Sequence, residues 1–105
     1  MTEPVVVTAV FTPKEGSTPQ VLDALRVAIP LVHEEDGCLL YAIHDAPNGD
    51  IFMIEKWESA ELLDSHGAGP AVAALNQSLE GLLDGPVEVT RFVPIPVGTE
   101  SQGAL

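Results

Sequence analysis

The sequence is poor in positive charge, with four lysine and arginine residues against sixteen aspartates and glutamates in 105 residues. The net charge of −12 repels phosphate groups, so neither nucleic acid nor an anionic membrane surface is expected as a partner. Long apolar segments are also lacking, since Val5–Thr12 and Cys38–His44 fall short of the ~20 residues that cross a bilayer. Because the start, Met1–Pro4, is acidic and carries no signal-peptide pattern, we predict a cytoplasmic protein.

Signatures of several enzyme classes are missing. The single cysteine, Cys38, cannot form an internal disulfide and is expected to be a buried structural thiol. The sequence contains no Gly-x-Ser-x-Gly, no glycine-rich phosphate loop, no Cys-x-x-Cys and no His-x-x-x-His. We therefore expect no metal, flavin or haem cofactor, and a colourless protein.

What is present predicts one folded domain. Hydrophobic residues make up 46% of the chain, far above the content of a disordered acidic segment. Proline and glycine divide the chain into segments whose apolar spacing gives the order βαββαβ. We assign residues 1–96 to this domain and residues 97–105 to an extended C-terminal tail, because Pro94 and Pro96 cannot donate to a strand ladder.

Two helical regions are predicted. In the first, Thr18 is the expected N-cap and Pro19 the first helical residue, and Pro30 is expected to bend or break the helix. The second opens with a short helix capped by Ser59, is interrupted by a Gly-Pro segment, and then continues to about Leu83. Both regions carry apolar residues at three- and four-residue spacing, so each has one face for packing against a sheet.

A β-hairpin is predicted at the centre of the chain. Asn48-Gly49 separates the apolar segments Cys38–Asp45 and Ile51–Trp57, and this dipeptide favours a two-residue turn. Such a turn places Ile43 opposite Ile54. One face then carries Leu39, Tyr41, Ile43, Phe52 and Ile54, and the other carries Leu40, Ala42, His44, Met53, Glu55 and Trp57.

Both faces of this hairpin are mostly apolar, although a small antiparallel sheet normally leaves one face polar. The predicted fold class is α+β, a ferredoxin-like split βαββαβ with a four-stranded antiparallel sheet and helices on one face. The other face needs cover, so we predict a homodimer.

Side-chain spacing directs a few polar residues toward the interior. His66 lies one turn after Leu62 on a predicted helix, so both side chains point inward. Met53, Glu55 and Trp57 alternate along a strand and share a face. A carboxylate among apolar neighbours needs a partner or has a raised pKa. These residues are therefore candidates for a site between sheet and helices.

Structural interpretations of the same residues stay open at this point. A satisfied core histidine and a packed tryptophan would give the same pattern, and Glu55 could pair with Arg91 or Lys56. Asn76 lies at the edge of the apolar stripe of the last helix. The run His33–Asp36 cannot converge on one ion from a helix, so we interpret it as a solvated acidic end.

Four segments together resemble the antibiotic biosynthesis monooxygenase family. They are Glu35–Tyr41 (E-x-G-C-L-x-Y), Glu55–Ser59 (E-x-W-x-S), Leu62–His66, whose histidine follows the tryptophan by nine residues, and Gly85–Val89 (G-P-x-E-V). Their order and spacing cover nearly the whole chain. The resemblance implies a dimeric α+β barrel, closest to the quinol monooxygenase-like branch.

The resemblance also implies an activity. Family members oxidise electron-rich aromatic compounds such as quinols and anthrones with O₂, without flavin or metal. On this basis His66 is the candidate base or proton shuttle, and Trp57 is the residue that stacks on a small aromatic substrate or forms the wall beside it. Glu55 or Asn76 would hold a substrate oxygen or orient the imidazole, and Met53 would line the pocket beside them.

The first strand separates this chain from one branch of the family. The haem-degrading branch has an asparagine there, where this chain has Thr8 or Ala9, so haem degradation is disfavoured. The competing hypothesis is a non-catalytic dimeric barrel that binds a small hydrophobic molecule or acts in a stress response.

Overall fold

The order of helices and strands agrees with the predicted βαββαβ arrangement, and the second helical region consists of two helices. The computed structural model describes residues 3–105, so Met1 and Thr2 of the predicted domain lie outside the described residues. The elements are β1 (Val5–Phe11), α1 (Thr18–His33), β2 (Cys38–Asp45), β3 (Ile51–Trp57), α2 (Ala60–Gly67), α3 (Pro70–Leu79) and β4 (Glu88–Phe92).

The four strands form one antiparallel sheet in the order β2-β3-β1-β4. Alternate residues of β1 and β3 are buried, which is the period-2 pattern of a strand with one covered face. The covered residues are Val5, Val7, Ala9, Phe11, Ile51, Met53, Glu55 and Trp57. Helix α1 packs Val21, Leu25, Ala28 and Val32 into the same core. The predicted fold class, a ferredoxin-like α+β sheet with helices on one face, is confirmed.

The hairpin exists as predicted, but its register was predicted wrongly by one residue on β3. Ile43 lies opposite Met53, not Ile54, and Tyr41 lies opposite Glu55. The loop is longer than two residues, because the backbone N–H of Ala46 donates to the carbonyl of Asp50 at 2.9 Å. A one-residue slip exchanges the two faces of a strand. Tyr41 and Ile43 therefore share the covered face with Met53 and Glu55.

The helix ends also differ from the expectations. The N-cap of α1 is Ser17 rather than Thr18, and the helix continues through Pro30 to His33 without a break. Its last turns are held by burial of Val32, which offsets the missing N–H of the proline. Helix α3 ends at Leu79 rather than Leu83, and Leu83 instead makes a backbone bridge to Pro13.

Gly37 determines how closely α2 approaches the start of β2. Its φ is +83°, which favours glycine, and a Cβ placed there would lie 2.5 Å from Leu62 Cδ1. The Gly37 carbonyl accepts a hydrogen bond from the N–H of Glu58 at 2.9 Å. As predicted, Ser59 caps α2, with its side chain accepting from the N–H of Leu62 at 3.2 Å. These contacts place α2 against the segment that carries Glu35.

Within residues 3–105 no helix covers the second face of the sheet, and this face mixes apolar with polar side chains. Its apolar residues are Val6, Val10, Leu40, Ala42, Phe52, Ile54 and Phe92, all partly or largely exposed. Thr8, Lys56 and Thr90 lie between them. After Phe92 the chain forms neither helix nor strand, and the N–H of Val97 donates to the Gly103 carbonyl at 3.3 Å. Across residues 3–105 no helix has the length and apolar character to span a membrane.

Candidate functional site

A cavity of about 320 Å³ lies between the covered face of the sheet and helices α2 and α3. We call it the inner cavity; its lining residues are Val7, Ala9, Phe11, Tyr41, Glu55, His66, Gly67, Val72, Leu75, Asn76, Val87 and Val89. Most of these side chains are apolar. Asn76, Gly67 and Val89 are exposed, so the cavity opens to solvent between α3 and β4. The space is of the size that binds small molecules.

His66 is a buried polar group on the wall of the inner cavity. It lies on α2, with 7% of its surface exposed, so the expectation that it points inward is correct. Its Nδ1 lies 2.8 Å from Oε1 of Glu35. Its ring lies against Trp57, with centroids 4.5 Å apart and planes tilted by 31°, and Tyr41 meets it edge-on at 5.4 Å. The imidazole is therefore held on three sides.

Glu55 is buried beside this histidine and is bonded to the tryptophan. The indole N–H of Trp57 donates to Glu55 Oε1 at 2.9 Å. Burial raises the pKa of Glu55 above its ordinary value, while the Trp57 hydrogen bond and nearby His66 oppose the shift. Burial, together with Glu55 and Glu35, also raises the pKa of Tyr41. The phenol of Tyr41 therefore stays protonated and is available as a hydrogen-bond donor at neutral pH.

The predicted site residues are divided between the cavity wall and the core behind it. Glu55, His66 and Asn76 line the inner cavity. Met53 and Trp57, expected on the wall, do not line it, and each is fully buried. Trp57 lies between His66 and Tyr41 with its N–H turned to Glu55, so it reaches the cavity through its contact with the imidazole. Met53 is covered because it lies on the helix-packed face of a central strand.

The open alternatives for Glu55 and Arg91 are resolved by their contacts. Glu55 pairs with Trp57, and not with Arg91 or Lys56. Arg91 instead donates to Asp64 at 2.7 Å, joining β4 to α2. Cys38, expected to be buried, is only partly buried against the core, and this burial raises the pKa of its thiol.

Sequence reasoning missed Glu35 and gave no role to Tyr41. The acidic end is solvated at Glu34 and Asp36, which are exposed, but Glu35 turns inward to His66. Nothing in an acidic run separates one carboxylate from its neighbours. The available signal was position, because Glu35 and Tyr41 are the first and last residues of the E-x-G-C-L-x-Y segment.

A second, open cavity of about 530 Å³ lies on the other side of α2, and we call it the outer groove. Its lining residues are Leu31, Glu35, Asp36, Leu62, Ser65, His66, Gly69, Pro70, Ala71 and Ala74. Among the described residues His66 alone lines both spaces, whereas Glu35 lines the outer groove. In the same part of the chain no three His, Cys, Asp or Glu side chains are arranged to hold a metal ion.

Comparisons with known proteins identify a family and several similar chains. The family model described as "Antibiotic biosynthesis monooxygenase" matches residues 4–78. The Mycobacterium tuberculosis protein named "Putative monooxygenase Rv0793" is 31% identical over 96 residues, which cover 90% of this chain and 95% of the relative. The solved structure of Rv0793 superposes with a TM-score of 0.84 at 28% identity, covering 91% of this chain and 99% of that one. PA3566 from Pseudomonas aeruginosa shares the fold, with a TM-score of 0.81 at 24% identity and coverage of 90% and 97%.

Proposed function

Because the chain belongs to the antibiotic biosynthesis monooxygenase family, we propose that it is a cofactor-independent monooxygenase that oxidises an electron-rich aromatic compound with O₂. The substrate class is a quinol, a phenol or an anthrone-like compound. The observation that carries the proposal is a buried imidazole, His66, facing an otherwise mostly apolar cavity. The cytoplasmic location expected from the sequence is part of the same proposal.

The chemistry needs a base and a dry pocket. Removing the hydroxyl proton of a phenol or enol leaves an anion that is able to give an electron to O₂, and exclusion of water protects the intermediates. For an anthrone-like substrate the balance closes without a reductant. One oxygen atom becomes the new carbonyl, and the other leaves as water with the two hydrogens of the oxidised methylene.

In this proposal His66 takes the hydroxyl proton, because an imidazole changes its charge near neutral pH. Tyr41 and Asn76 line the cavity within reach of a ligand and would hold substrate oxygens by hydrogen bonds. Glu55 lines the same wall and accepts from Trp57, which supports the imidazole from behind. Met53 and Trp57 would shape the pocket through the core and would not touch the substrate.

The charges of the side chains that line the inner cavity bear on the charge of the proposed substrate. Among the described residues no lysine or arginine lines the inner cavity, and Arg91 is paired with Asp64 outside it. An anionic substrate would meet the Glu55 carboxyl without a fixed positive charge to balance it. The cavity therefore favours a neutral hydroxylated aromatic over a phosphorylated or carboxylated one.

We also propose that the protein is a homodimer joined through the sheet face that carries no helix. Phe52 and Phe92 on that face are 36% and 46% exposed, which is costly for a pair of aromatic rings in water. Light scattering should return twice the chain mass of 11.1 kDa at micromolar concentration. A mass equal to one chain would contradict this part of the proposal.

Oxygen consumption tests the activity. The purified protein is mixed with a panel of hydroquinones and anthrones, and wild type is compared with His66→Ala. The matched control is His44→Ala, because His44 is exposed and lies outside both cavities. We expect uptake that is lost in His66→Ala and kept in His44→Ala. No uptake with any compound, together with ligand-induced thermal stabilisation, would favour the non-catalytic binding protein instead.

A further inference from the structure

One contact in the site is explained neither by the apolar cavity nor by the cofactor-free chemistry. His66 forms the wall shared by the inner cavity and the outer groove, and its Nδ1 is bonded to Glu35 on the groove side at 2.8 Å. Glu35 comes from the loop after α1, 31 residues earlier in the chain. Its side chain is 24% exposed and does not line the inner cavity. A partly buried carboxylate is thus aimed at the far edge of the imidazole.

Hydrogen-bond chemistry assigns the proton in this contact. An ionised carboxylate only accepts, so Nδ1 of His66 must carry the hydrogen that joins it to Glu35. In the neutral ring Nε2 is then the free lone pair. Nε2 has no partner in the structure, yet among residues 3–105 no buried side-chain nitrogen or oxygen is left unpaired. Nε2 therefore retains an accessible surface.

We propose that Glu35 is a positioning residue, which fixes the tautomer of His66 so that Nε2 presents its lone pair to the inner cavity. This inference rests on the proposed function and adds a residue to it. In the step concerned, the substrate O–H bond breaks, an Nε2–H bond forms and the electron pair stays on the substrate oxygen. Glu35 keeps its negative charge and balances the imidazolium that results.

The other groups around the imidazole do not replace Glu35. Glu55 accepts from the Trp57 indole, and Tyr41 meets the ring edge-on with a phenol whose pKa is raised by burial. Asp36 lines the outer groove but makes no hydrogen bond to His66. Trp57 lies against the face of the ring and donates its N–H to Glu55. Glu35 is thus the carboxylate in a position to select the tautomer.

Nitrogen NMR of the imidazole tests the proposal without a substrate. The ¹⁵N shifts of the two ring nitrogens report which one carries the proton. We expect His66 of the wild type to be protonated at Nδ1, and Glu35→Ala to move the proton toward Nε2, which free histidine favours. Glu35→Gln keeps an accepting oxygen and should keep the Nδ1 proton. Asp36→Ala is the matched control and should resemble the wild type.

Kinetics with an active aromatic substrate give the second readout. General base catalysis contributes about 10²–10⁴-fold, so we expect kcat to fall roughly 10- to 100-fold in Glu35→Ala, with KM little changed. Glu35→Gln should lie between Glu35→Ala and wild type, because it restores the hydrogen bond without the charge.

The outcomes separate this inference from the proposed function. An Nε2-protonated wild type, or an unchanged tautomer in a folded Glu35→Ala, would overturn the positioning role even if oxygen is consumed. A tautomer shift in a protein that consumes no oxygen with any compound would overturn the proposed function and leave the positioning of the imidazole standing. Glu35→Gln is close in shape to the wild type, so it keeps the test informative if Glu35→Ala does not fold.

Discussion

The two faces of the sheet are built from the same strands and differ in how deeply their side chains are buried. On β1, Val7 and Ala9 face the helices and are buried, whereas Val6, Thr8 and Val10 face away and are partly exposed. The helix-covered face contains the inner cavity and its polar group of Tyr41, Glu55 and His66. Among the described residues, none on the open face lines the inner cavity.

The difference shows how alternation along a strand separates the residues of one surface from those of another. Side chains at even and odd positions of a strand point to opposite faces, so a substitution acts on the site or on the open face but rarely on both. Stability and the proposed chemistry depend on the covered face, and the proposed self-association depends on the open face. Paired substitutions of neighbouring residues therefore test the division directly.

The largest contrast is expected between Trp57→Ala and Phe52→Ala on the same strand. Trp57 is fully buried, and its removal leaves a cavity and deprives Glu55 of its donor, so the free energy of unfolding should fall by about 3–5 kcal/mol. Phe52 is 36% exposed on the open face. Phe52→Ala should therefore lower the free energy of unfolding by less and should weaken self-association instead. Urea unfolding and light scattering at equal protein concentration measure both. Equal losses of unfolding free energy in the two variants would contradict the assignment of stability to the covered face.

A smaller effect is expected at the turn that brings α2 to the site. Gly37→Ala and Gly49→Ala both force a non-glycine residue to a positive φ, which costs about 1–2 kcal/mol. Gly49 has open space around it, whereas a Cβ at Gly37 meets Leu62, so Gly37→Ala should cost about 1–3 kcal/mol more. Gly37→Ala should also disturb the contact between Glu35 and His66. Equal costs for the two variants would show that close packing of α2 is unimportant.

The smallest predicted effect is on the pH dependence of stability. Burial raises the folded-state pKa of Glu55 above its ordinary value of 4.5, so its protonated form is favoured in the fold. That stabilisation is present below the ordinary pKa and is lost as pH rises through the folded pKa. Glu55→Gln cannot ionise and accepts the same bond from Trp57. The melting temperature of Glu55→Gln, relative to wild type, should therefore increase as the pH rises above the ordinary pKa of 4.5. A constant difference as the pH rises would contradict the assignment.

Much of the fold follows from local pattern. Alternation on Ile51–Trp57, the cap at Ser59 and the inward direction of His66 are all set within a few residues, and the structure confirms them. Local sequence pattern was not sufficient to predict helix ends that are determined by tertiary packing. Pro30 does not end α1, because burial of the last turn holds the helix.

The features of the site that the sequence did not predict depend on contacts between residues far apart in the chain. The register of the hairpin is fixed by the length of its loop, which is longer than the predicted two-residue turn. Because of this register, Tyr41 faces the inner cavity. The partner of His66 lies 31 residues away, in a run where three acidic residues look alike. Trp57 was correctly placed on the covered face, but whether it lines a cavity depends on the helices above it.

The proposed oxygen transfer takes place on the helix-covered face, with His66 as the base. Its most direct test uses a quinol or anthrone that the protein consumes, reacted under ¹⁸O₂ and analysed by mass spectrometry, with a parallel reaction in H₂¹⁸O to measure exchange. We expect one labelled oxygen atom from O₂ in the product, at a rate that is lost in His66→Ala and unaffected by Phe52→Ala at a concentration where that variant stays assembled. An oxidised product without label from O₂, or labelling that persists in His66→Ala, would contradict it.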